Sequence, residues 1–509
     1  MLWLTWVAAN TCMWMNDVAS AWMMTSLTTS PALVALVQAA STLPVFLLGL
    51  PSGALADILD RRRYFMLTQI WVAAVALLLC LVLAMGWMTA PLLLSLTFLN
   101  GIGLAMRWPV FAAIVPELVP RAQLPAAMGL NGIAMNASRI IGPLVAGAVI
   151  ASAGSLWVFV LNAVLSIGSA FVILHWKREH KVSPLGRERL GSAIRVGLQF
   201  VRQSPRMRSV LLRAAVFFVH ATALLALLPL VARAMPRGDA GTFTSLLASM
   251  GAGAILGALT LPRLRRRWSN EQLLRNGCIG VAMALLGASF APNVYLGMPA
   301  MAIGGFALLC SANSLTTIAQ LCLPDWVRAR GMSIYQMAQM GGSALGAVLW
   351  GQVVTHASLH MGMAIAAASC VVCMLALQFF LPDRSVLEDL TPSAAFKTPV
   401  ALQTPTHGQI QVNIEYLIDP LRAEEFRALM QESRRSRLRQ GALDWRLLHD
   451  LNDPGRFVEQ ITDESWTEHL RRFDRVTAYD VSLRDKKLSF HAEPEPPRVT
   501  RLLVDADRS

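Results

Sequence analysis

Charge is scarce in this sequence. Asp, Glu, Lys and Arg make up 15% of its 509 residues and hydrophobic residues 55%, whereas an average soluble domain carries about 25% charged residues. A water-soluble fold cannot hide so much apolar surface. A G-x-x-x-x-G-K-S/T phosphate loop is missing, so the sequence offers no support for ATP drive. The opening MLWLTWVAAN has no basic n-region and no small-residue cleavage site after a short apolar stretch, so it reads as a first transmembrane helix and not as a cleaved signal. None of the seven cysteines lies beyond residue 373, and Cys370 and Cys373 form a CxxC within an apolar run with no His/Cys cluster nearby. Packing by small hydrophobes is favoured there over metal or redox chemistry, and neither a metal nor a cofactor is expected.

What is present is a series of long apolar runs. A helix needs about 20 apolar residues to cross a hydrocarbon core. About twelve such runs occupy 3–27, 32–55, 65–86, 91–113, 126–152, 156–176, 210–233, 242–262, 273–290, 295–322, 332–356 and 360–381. The remainder is of ordinary soluble composition. The expected domains are a six-helix bundle over 1–176, a central loop over 177–209, a second six-helix bundle over 210–381, a linker over 382–409 and a soluble domain over 410–509.

The formal net charge of +13 invites a nucleic-acid reading, but the positions of the cations decide against it. Loops after even-numbered runs carry them: Arg61, Arg62 and Arg63, then Arg121, then Arg263 and Arg265 to Arg267, then Arg328 and Arg330. The central loop adds nine more. Odd-numbered loops hold almost none, apart from Arg233 and Arg237. By the positive-inside rule both termini, the central loop and the tail are expected in the cytoplasm, with the bilayer as partner and no nucleic acid.

A shift of 204 residues superimposes the first half on the second. It carries Gly49 and Gly53 onto Gly253 and Gly257, Arg61 to Arg63 onto Arg265 to Arg267, Gly101 onto Gly305, Gly142 onto Gly346 and Gly147 onto Gly351. An even number of helices separates the copies, so they form parallel repeats, the arrangement described for the two halves of major facilitator transporters.

At this point the sequence resembles that superfamily. Residues 53–63, GALADILDRRR, are similar to its loop signature G-x-L-A-D-x-x-G-R-R/K, matching at Gly53, Leu55, Asp57, Arg61 and Arg62, with Asp60 where glycine is usual. The resemblance implies that Asp57 accepts hydrogen bonds from the start of helix eleven and latches the cytoplasmic side. The repeat has Leu261 where Asp57 maps, so the latch is expected on one side only. RIIGPLVAG, residues 139–147, is similar to the superfamily's Gly-Pro motif of antiporter-type exporters, with Gly142, Pro143 and Gly147 in place and Ser138 one turn earlier. Pro143 removes a backbone donor and bends the helix. Residues 118–143 and 448–477 resemble the enterobactin-exporter-like branch, also called transmembrane secretion effectors. Members usually begin with a basic cytoplasmic lead, so a start upstream of Met1 is expected.

An ionisable side chain inside the bilayer is costly and needs a partner or a task. Asp17, near the middle of the first run, either binds and releases a proton or is satisfied by Asn10, Asn16 or an arginine from another helix. Arg139 is placed to pair with Asp17 or to hold an anionic substrate. Arg107 either snorkels to the interface or lines the cavity. His220 titrates near neutral pH or is simply hydrogen-bonded. Asn131, Asn136, Tyr335, Gln336 and Gln339 are further cavity-lining candidates.

In the tail, alternation over 410–418 predicts a strand, 420–440 a strongly basic helix with a solvated or lipid-facing surface, and two more strands flank the turn at Asp453 to Gly455. A helix over about 466–487 and a strand over 498–504 complete a βαββαβ order. The fold class expected is therefore an all-α membrane protein of twelve helices with a C-terminal α+β ferredoxin-like domain. That domain resembles small antibiotic-biosynthesis monooxygenase-type modules, which often pair through their sheets, so self-association is a candidate role. Trp445, Trp466, His449 and His469 are its only plausible chemical groups. They form no nucleophile-base or metal constellation, and an enzyme is not expected.

The function expected is proton-coupled export of a small molecule, such as a siderophore, drug or secondary metabolite, across the plasma (inner) membrane. The alternatives are uptake symport, or a membrane-tethered enzyme or sensor acting through the tail.

Overall fold

The computed structural model describes residues 2–118, 124–174, 190–236, 238–324, 326–381, 388–393, 395–396, 399, 405 and 408–504. They fall into two compact units. One holds residues 1–180, 210–319 and 333–383, and the other holds 181–209, 320–332 and 384–509.

The first unit is helical. Its elements are α1 (Leu2–Leu27), α2 (Pro31–Ile58), α3 (Arg61–Ala84), α4 (Ala90–Leu118), α5 (Leu124–Ala153) and α6 (Ser155–Leu174). After α7 (Leu190–Gln203), which belongs to the second unit, come α8 (Pro205–Ala226), α9 (Leu228–Ala234), α10 (Ala240–Arg267), α11 (Asn270–Phe290), α12 (Val294–Leu321), α13 (Arg328–His356) and α14 (Leu359–Phe380). Among the described residues nine helices are long and apolar enough to cross a membrane, with α8 and α9 counted as one span, Pro205–Ala234. The other long helices are α1, α5 and α13, of 26, 30 and 29 residues. Polar residues such as Asn10, Asn16 and Asp17 on α1 dilute their hydropathy. On α6, Val164, Ile167 and Phe171 point outward and are exposed, as a lipid-facing stripe requires.

Local chemistry sets the helix ends. Asp60 stands where the resembled signature has glycine, and it caps α3 by accepting a hydrogen bond from Arg63 N–H at 2.9 Å. Ser269 and Gln272 form a reciprocal capping box on α11. Gly154, at φ +91°, makes the tight turn from α5 to α6.

Glycines set the packing, and the 204-residue offset reappears as contacts. A Cβ on Gly142 of α5 would lie 2.5 Å from Trp14 Cβ and 3.0 Å from the Thr11 carbonyl oxygen of α1, with Met15 N at 3.5 Å. A Cβ on Gly346 of α13 would lie 2.1 Å from the Val219 carbonyl oxygen of α8, with Ala215 Cα of the same helix packed nearby through Gly342. Val219 and Ala215 are 204 residues beyond Met15 and Thr11. Gly101 of α4 meets the Ser41 carbonyl of α2, and Gly305 of α12 meets the Met250 carbonyl of α10, the same pair of helices in each half with the contact shifted by about one turn. The two halves also touch reciprocally: Gly147 of α5 packs on Thr244 of α10, and Gly351 of α13 on Ala32 and Ala35 of α2. Only a residue without Cβ permits these approaches.

The second unit is built around a four-stranded antiparallel sheet of order β2-β3-β1-β4. Its strands are β1 (Gln409–Leu417), β2 (Asp444–His449), β3 (Arg456–Asp463) and β4 (Arg498–Val504). Helices α15 (Ala423–Arg439), α16 (Trp466–Asp474) and α17 (Ala478–Leu488) accompany them. The βαββαβ order holds, with the second helix broken at Arg475 to Thr477, where Thr477 and Asp480 form a new capping box. The basic helix departs from expectation. Arg434 and Arg435 are exposed, but Arg439 is buried and bonded to Glu388, and Arg437 reaches the interior carboxylate of Glu459 at 3.3 Å. Interior acids in a small domain demand interior cations.

Glu459 organises that interior. Strand alternation puts it on the same face as Phe457 and Ile461, and it is fully buried. Its Oε1 accepts from Ser433 Oγ at 2.8 Å, Trp445 Nε1 at 3.0 Å and Arg437 Nε; its Oε2 accepts from Tyr416 OH and Lys487 Nζ, each at 3.2 Å. Burial pushes the carboxyl up, but the charges of Lys487 and Arg437 and the donated hydrogen bonds outweigh it and hold the group well below the ordinary glutamate range. For Lys487 burial dominates over the attraction of Glu459, and its pKa falls to about 8.

The central-loop helix α7 belongs to this unit and is bonded to it. Ser192 Oγ and Arg195 Nη2 both donate to Glu464 Oε2 at 2.8 Å. Arg195 Nη1 donates to the Gly441 carbonyl at 3.2 Å and Gln199 Nε2 to the Ala442 carbonyl at 2.7 Å. Trp326, from the segment between α12 and α13, lies edge-on to Phe200 of α7 and beneath the Arg475 guanidinium. Gly441 sits at φ +109° with Val196 of α7 against it, a conformation and a clearance that favour glycine.

Two outcomes test this packing. Gly305→Ala places a Cβ 1.9 Å from the Met250 carbonyl oxygen and is expected to destabilise by about 1–3 kcal/mol or more. The Tm of the purified protein should fall, while Gly168→Ala, which has nothing within 4 Å, should leave it unchanged. Glu459→Gln leaves two cations buried without their anion and is expected to cost about 3–5 kcal/mol. Hydrogen exchange of β1 and β3 in the full chain reads that loss. Because the folded-state pKa of Glu459 is depressed, its contribution is complete above the unfolded value near 4.5 and is lost as pH falls below it.

Candidate functional site

Asp17 lies on α1, a helix whose apolar run is interrupted by Asn10, Asn16 and Asp17 and which packs against α2, α5 and α6. The Asp17 side chain is half-buried, and its Oδ1 accepts a hydrogen bond from Ser41 Oγ of α2 at 2.7 Å. Neither asparagine satisfies it. Asn10 Nδ2 donates to the Trp6 carbonyl at 2.9 Å, and Asn16 Oδ1 faces Asn162 Nδ2 of α6 at 3.5 Å. Among the described residues no arginine or lysine pairs with Asp17. A carboxyl held by one neutral hydroxyl is free to take a proton without breaking an ion pair.

Around it the interior keeps unspent polar capacity. Asn10 Oδ1, Asn16 Nδ2 and Ser20 Oγ are buried on α1 without a partner among the described residues. Arg107 of α4 is buried: it is 3% exposed, donates from Nη1 to the Ala9 carbonyl at 3.0 Å, and lies 5.8 Å from the Trp6 ring centroid. Its Nε has no partner, and no carboxylate pairs with it among the described residues. Ser138, where the full Gly-Pro motif would have glycine, reaches Val7 O and receives Thr11 Oγ1, each at 3.2 Å, fastening α5 to α1. Pro143, one residue beyond Gly142, is buried.

In the second half His220 Nδ1 donates to the Val216 carbonyl of its own helix at 2.8 Å, and its ring tilts over Trp350 at 5.6 Å. That is the ordinary satisfied state of a helical histidine. Tyr335 is buried with its hydroxyl 3.2 Å from Thr316 Oγ1 of α12, and Gln336 and Gln339 are half-buried on the same helix, α13. Aromatic and polar contacts join α1 to α9 and α10. Trp22 of α1 stacks on Phe243 of α10 at 5.0 Å, Arg233 of α9 lies over Trp22 at 4.9 Å, and Arg233 Nε donates to Thr25 Oγ1 at 3.1 Å.

The side chains of Asn131, Asn136 and Arg139 lie outside the described residues, as do those of Gly53, Asp57 and Arg61 in the loop signature. Asp57 falls in the last turn of α2. Arg62 donates to the Leu174 carbonyl at the end of α6. Ser41, Asn162 and the Trp22–Arg233 pair are absent from the sequence reading. Serines and asparagines in apolar helices give no pattern, although Arg233 stood out as a cation in a loop otherwise almost free of them.

A family model described as transmembrane secretion effector matches residues 1–509. The multidrug efflux pump Tap of Mycolicibacterium fortuitum is 26% identical over 357 residues, covering 67% of this chain and 86% of Tap. The enterobactin exporter EntS of Escherichia coli O1:K1 / APEC is 24% identical over 302 residues, covering 59% of this chain and 71% of EntS. Among solved structures, the nucleoside transporter NupG superimposes with a TM-score of 0.59 at 12% identity, covering 75% of this chain and all of NupG. That likeness concerns the fold. The chain is a multi-pass membrane protein that belongs to the transmembrane secretion effector family of major facilitator transporters.

Proposed function

We propose that this transporter exports a small molecule in exchange for protons, by alternating access between two parallel six-helix halves. In this reading α1, α5 and α13 join the nine apolar spans to make twelve. Both termini, the α7 segment and the ferredoxin-like tail face the cytoplasm, and the membrane is the plasma (inner) membrane. The repeated glycine contacts support two equivalent halves, and the cation distribution supports the orientation. The efflux pump and the siderophore exporter among the relatives favour export.

The observation that carries the proton assignment is the Asp17–Ser41 contact: a carboxylate inside the bundle with a hydroxyl, and no cation among the described residues, as its hydrogen-bond partner. Protonation exchanges the direction of that bond without leaving a buried charge. Arg107, buried and without a carboxylate partner among the described residues, favours a cargo that carries negative charge. Arg139 and His220 remain secondary candidates, His220 the weaker because its ring is already bonded to its own helix. Asp57, Arg61 and Arg62 are assigned to the cytoplasmic latch.

Comparison of metabolites excreted by a deletion strain and its parent identifies the cargo. Uptake of that cargo into inverted vesicles should collapse on adding an uncoupler. Asp17→Asn should remove the proton-driven component. One proton charge moved through 100 mV is worth about 2.3 kcal/mol, so accumulation should fall about fifty-fold at that potential. Uptake with unchanged proton dependence in Asp17→Asn removes Asp17 from the mechanism. Accumulation that ignores the uncoupler removes proton coupling altogether.

A further inference from the structure

The tail domain contains a cavity of about 360 Å³ between the inner face of its sheet and helices α15 to α17. The transport reading makes no use of it. Val412 and Ile414 of β1 and Ile461 of β3 form an apolar floor, and Phe473 of α16 a wall. No aspartate or glutamate lines it, whereas Arg437, Arg472, Arg484, Lys487 and Arg501 all do.

Most of that charge is answered from behind. Glu459 takes Arg437 and Lys487, and Asp463 takes Arg472 at 2.8 Å. Arg484 pairs with the exposed Asp485 at 3.1 Å and stacks over Phe396 at 4.7 Å. Arg501 differs. Its side chain has no carboxylate partner among the described residues; its Nε donates to His469 Nε2 at 3.3 Å. His469 Nδ1 in turn lies 2.7 Å from Asp463 Oδ2. Neither Nη group of Arg501 has a bonding partner among the described residues, and the residue lines the cavity. Gln440 also lines it, 3% exposed and with a buried Oε1 that has no partner. A pocket with an apolar floor, several cationic side chains and no carboxylate in its lining suits an organic anion.

We propose that the tail is a receptor for a compact, ring-bearing organic anion, its carboxylate held by Arg501 and Arg484 and its ring on Val412, Ile414 and Phe473. The occupant sits against Gln440, whose own carbonyl accepts from Arg475 at 2.7 Å and whose next two residues hold α7 through Arg195 and Gln199. Binding therefore bears on the segment that joins the two halves of the transporter.

The test uses the full chain in lipid nanodiscs and 1-naphthoate as probe, with the neutral isostere 1-naphthylmethanol beside it, by titration calorimetry. One saturable site for 1-naphthoate is expected. Arg501→Gln, an exposed position that folding tolerates, and Arg484→Gln should each weaken it about tenfold, as should loss of the probe's charge. Arg434→Gln, exposed and outside the cavity, should leave it unchanged. No saturable binding, equal affinity for the two probes, or affinity unchanged in both Arg501→Gln and Arg484→Gln overturns the assignment. Binding is read without transport, so this result and that of the vesicle assay stand apart.

Discussion

Several helix crossings among the described residues bring backbone against backbone at glycine, and the rest of the membrane unit depends on them. In hydrocarbon there is little hydrophobic drive for one apolar helix to prefer another, so close van der Waals packing decides which helices associate. Gly142 on α1 and Gly346 on α8 are one crossing made twice, 204 residues apart. Gly101 and Gly305 repeat the arrangement for the neighbouring pair. Because each crossing lacks side chains between the backbones, it is stiff within a half. The contacts between halves also use glycine, but against small side chains: Gly147 meets the Thr244 side chain and Gly351 meets Ala32 and Ala35. Two stiff bodies meeting along such smooth seams are the physical requirement for a rocking transporter.

The polar interior follows from that frame. With α1 drawn close to α5 by Gly142, its Asn10, Asn16 and Asp17 have few places to point. Asp17 finds Ser41, Asn16 finds Asn162, and Arg107 comes in from α4 to the Ala9 carbonyl. Several atoms of this set have no partner among the described residues.

Much of this was legible in the sequence, for identifiable reasons. Glycine positions repeat because backbone clearance leaves no substitute, so the offset could be read. The residues they touch, Thr11 and Met15 or Ala215 and Val219, contribute mostly backbone and differ between the two halves, so the partners could not. Asp17 stood out as a charge in an apolar run, but its partner did not, since a serine in such a helix usually bonds its own turn. In the tail the period-two pattern placed the strands. That pattern also put Glu459 and Asp463 on the inner face with Phe457 and Ile461, yet the basic helix read as a solvated surface because helical spacing alone does not say which arginines meet buried acids. The association of α7 and Trp326 with the tail had no signal, as it joins segments more than a hundred residues apart.

Alternating access requires that the two halves move against each other where Trp22, Phe243 and Arg233 join α1 to α9 and α10. Spin labels at Ser26 and Ala234, exposed positions flanking that contact, report the separation of α1 and α9 in nanodiscs, in a background lacking the natural cysteines. Electron–electron distance measurements should show two populations whose ratio shifts between acidic and alkaline pH, with that shift abolished by Asp17→Asn. A single distribution, unmoved by pH and identical in the variant, would contradict proton-coupled rocking.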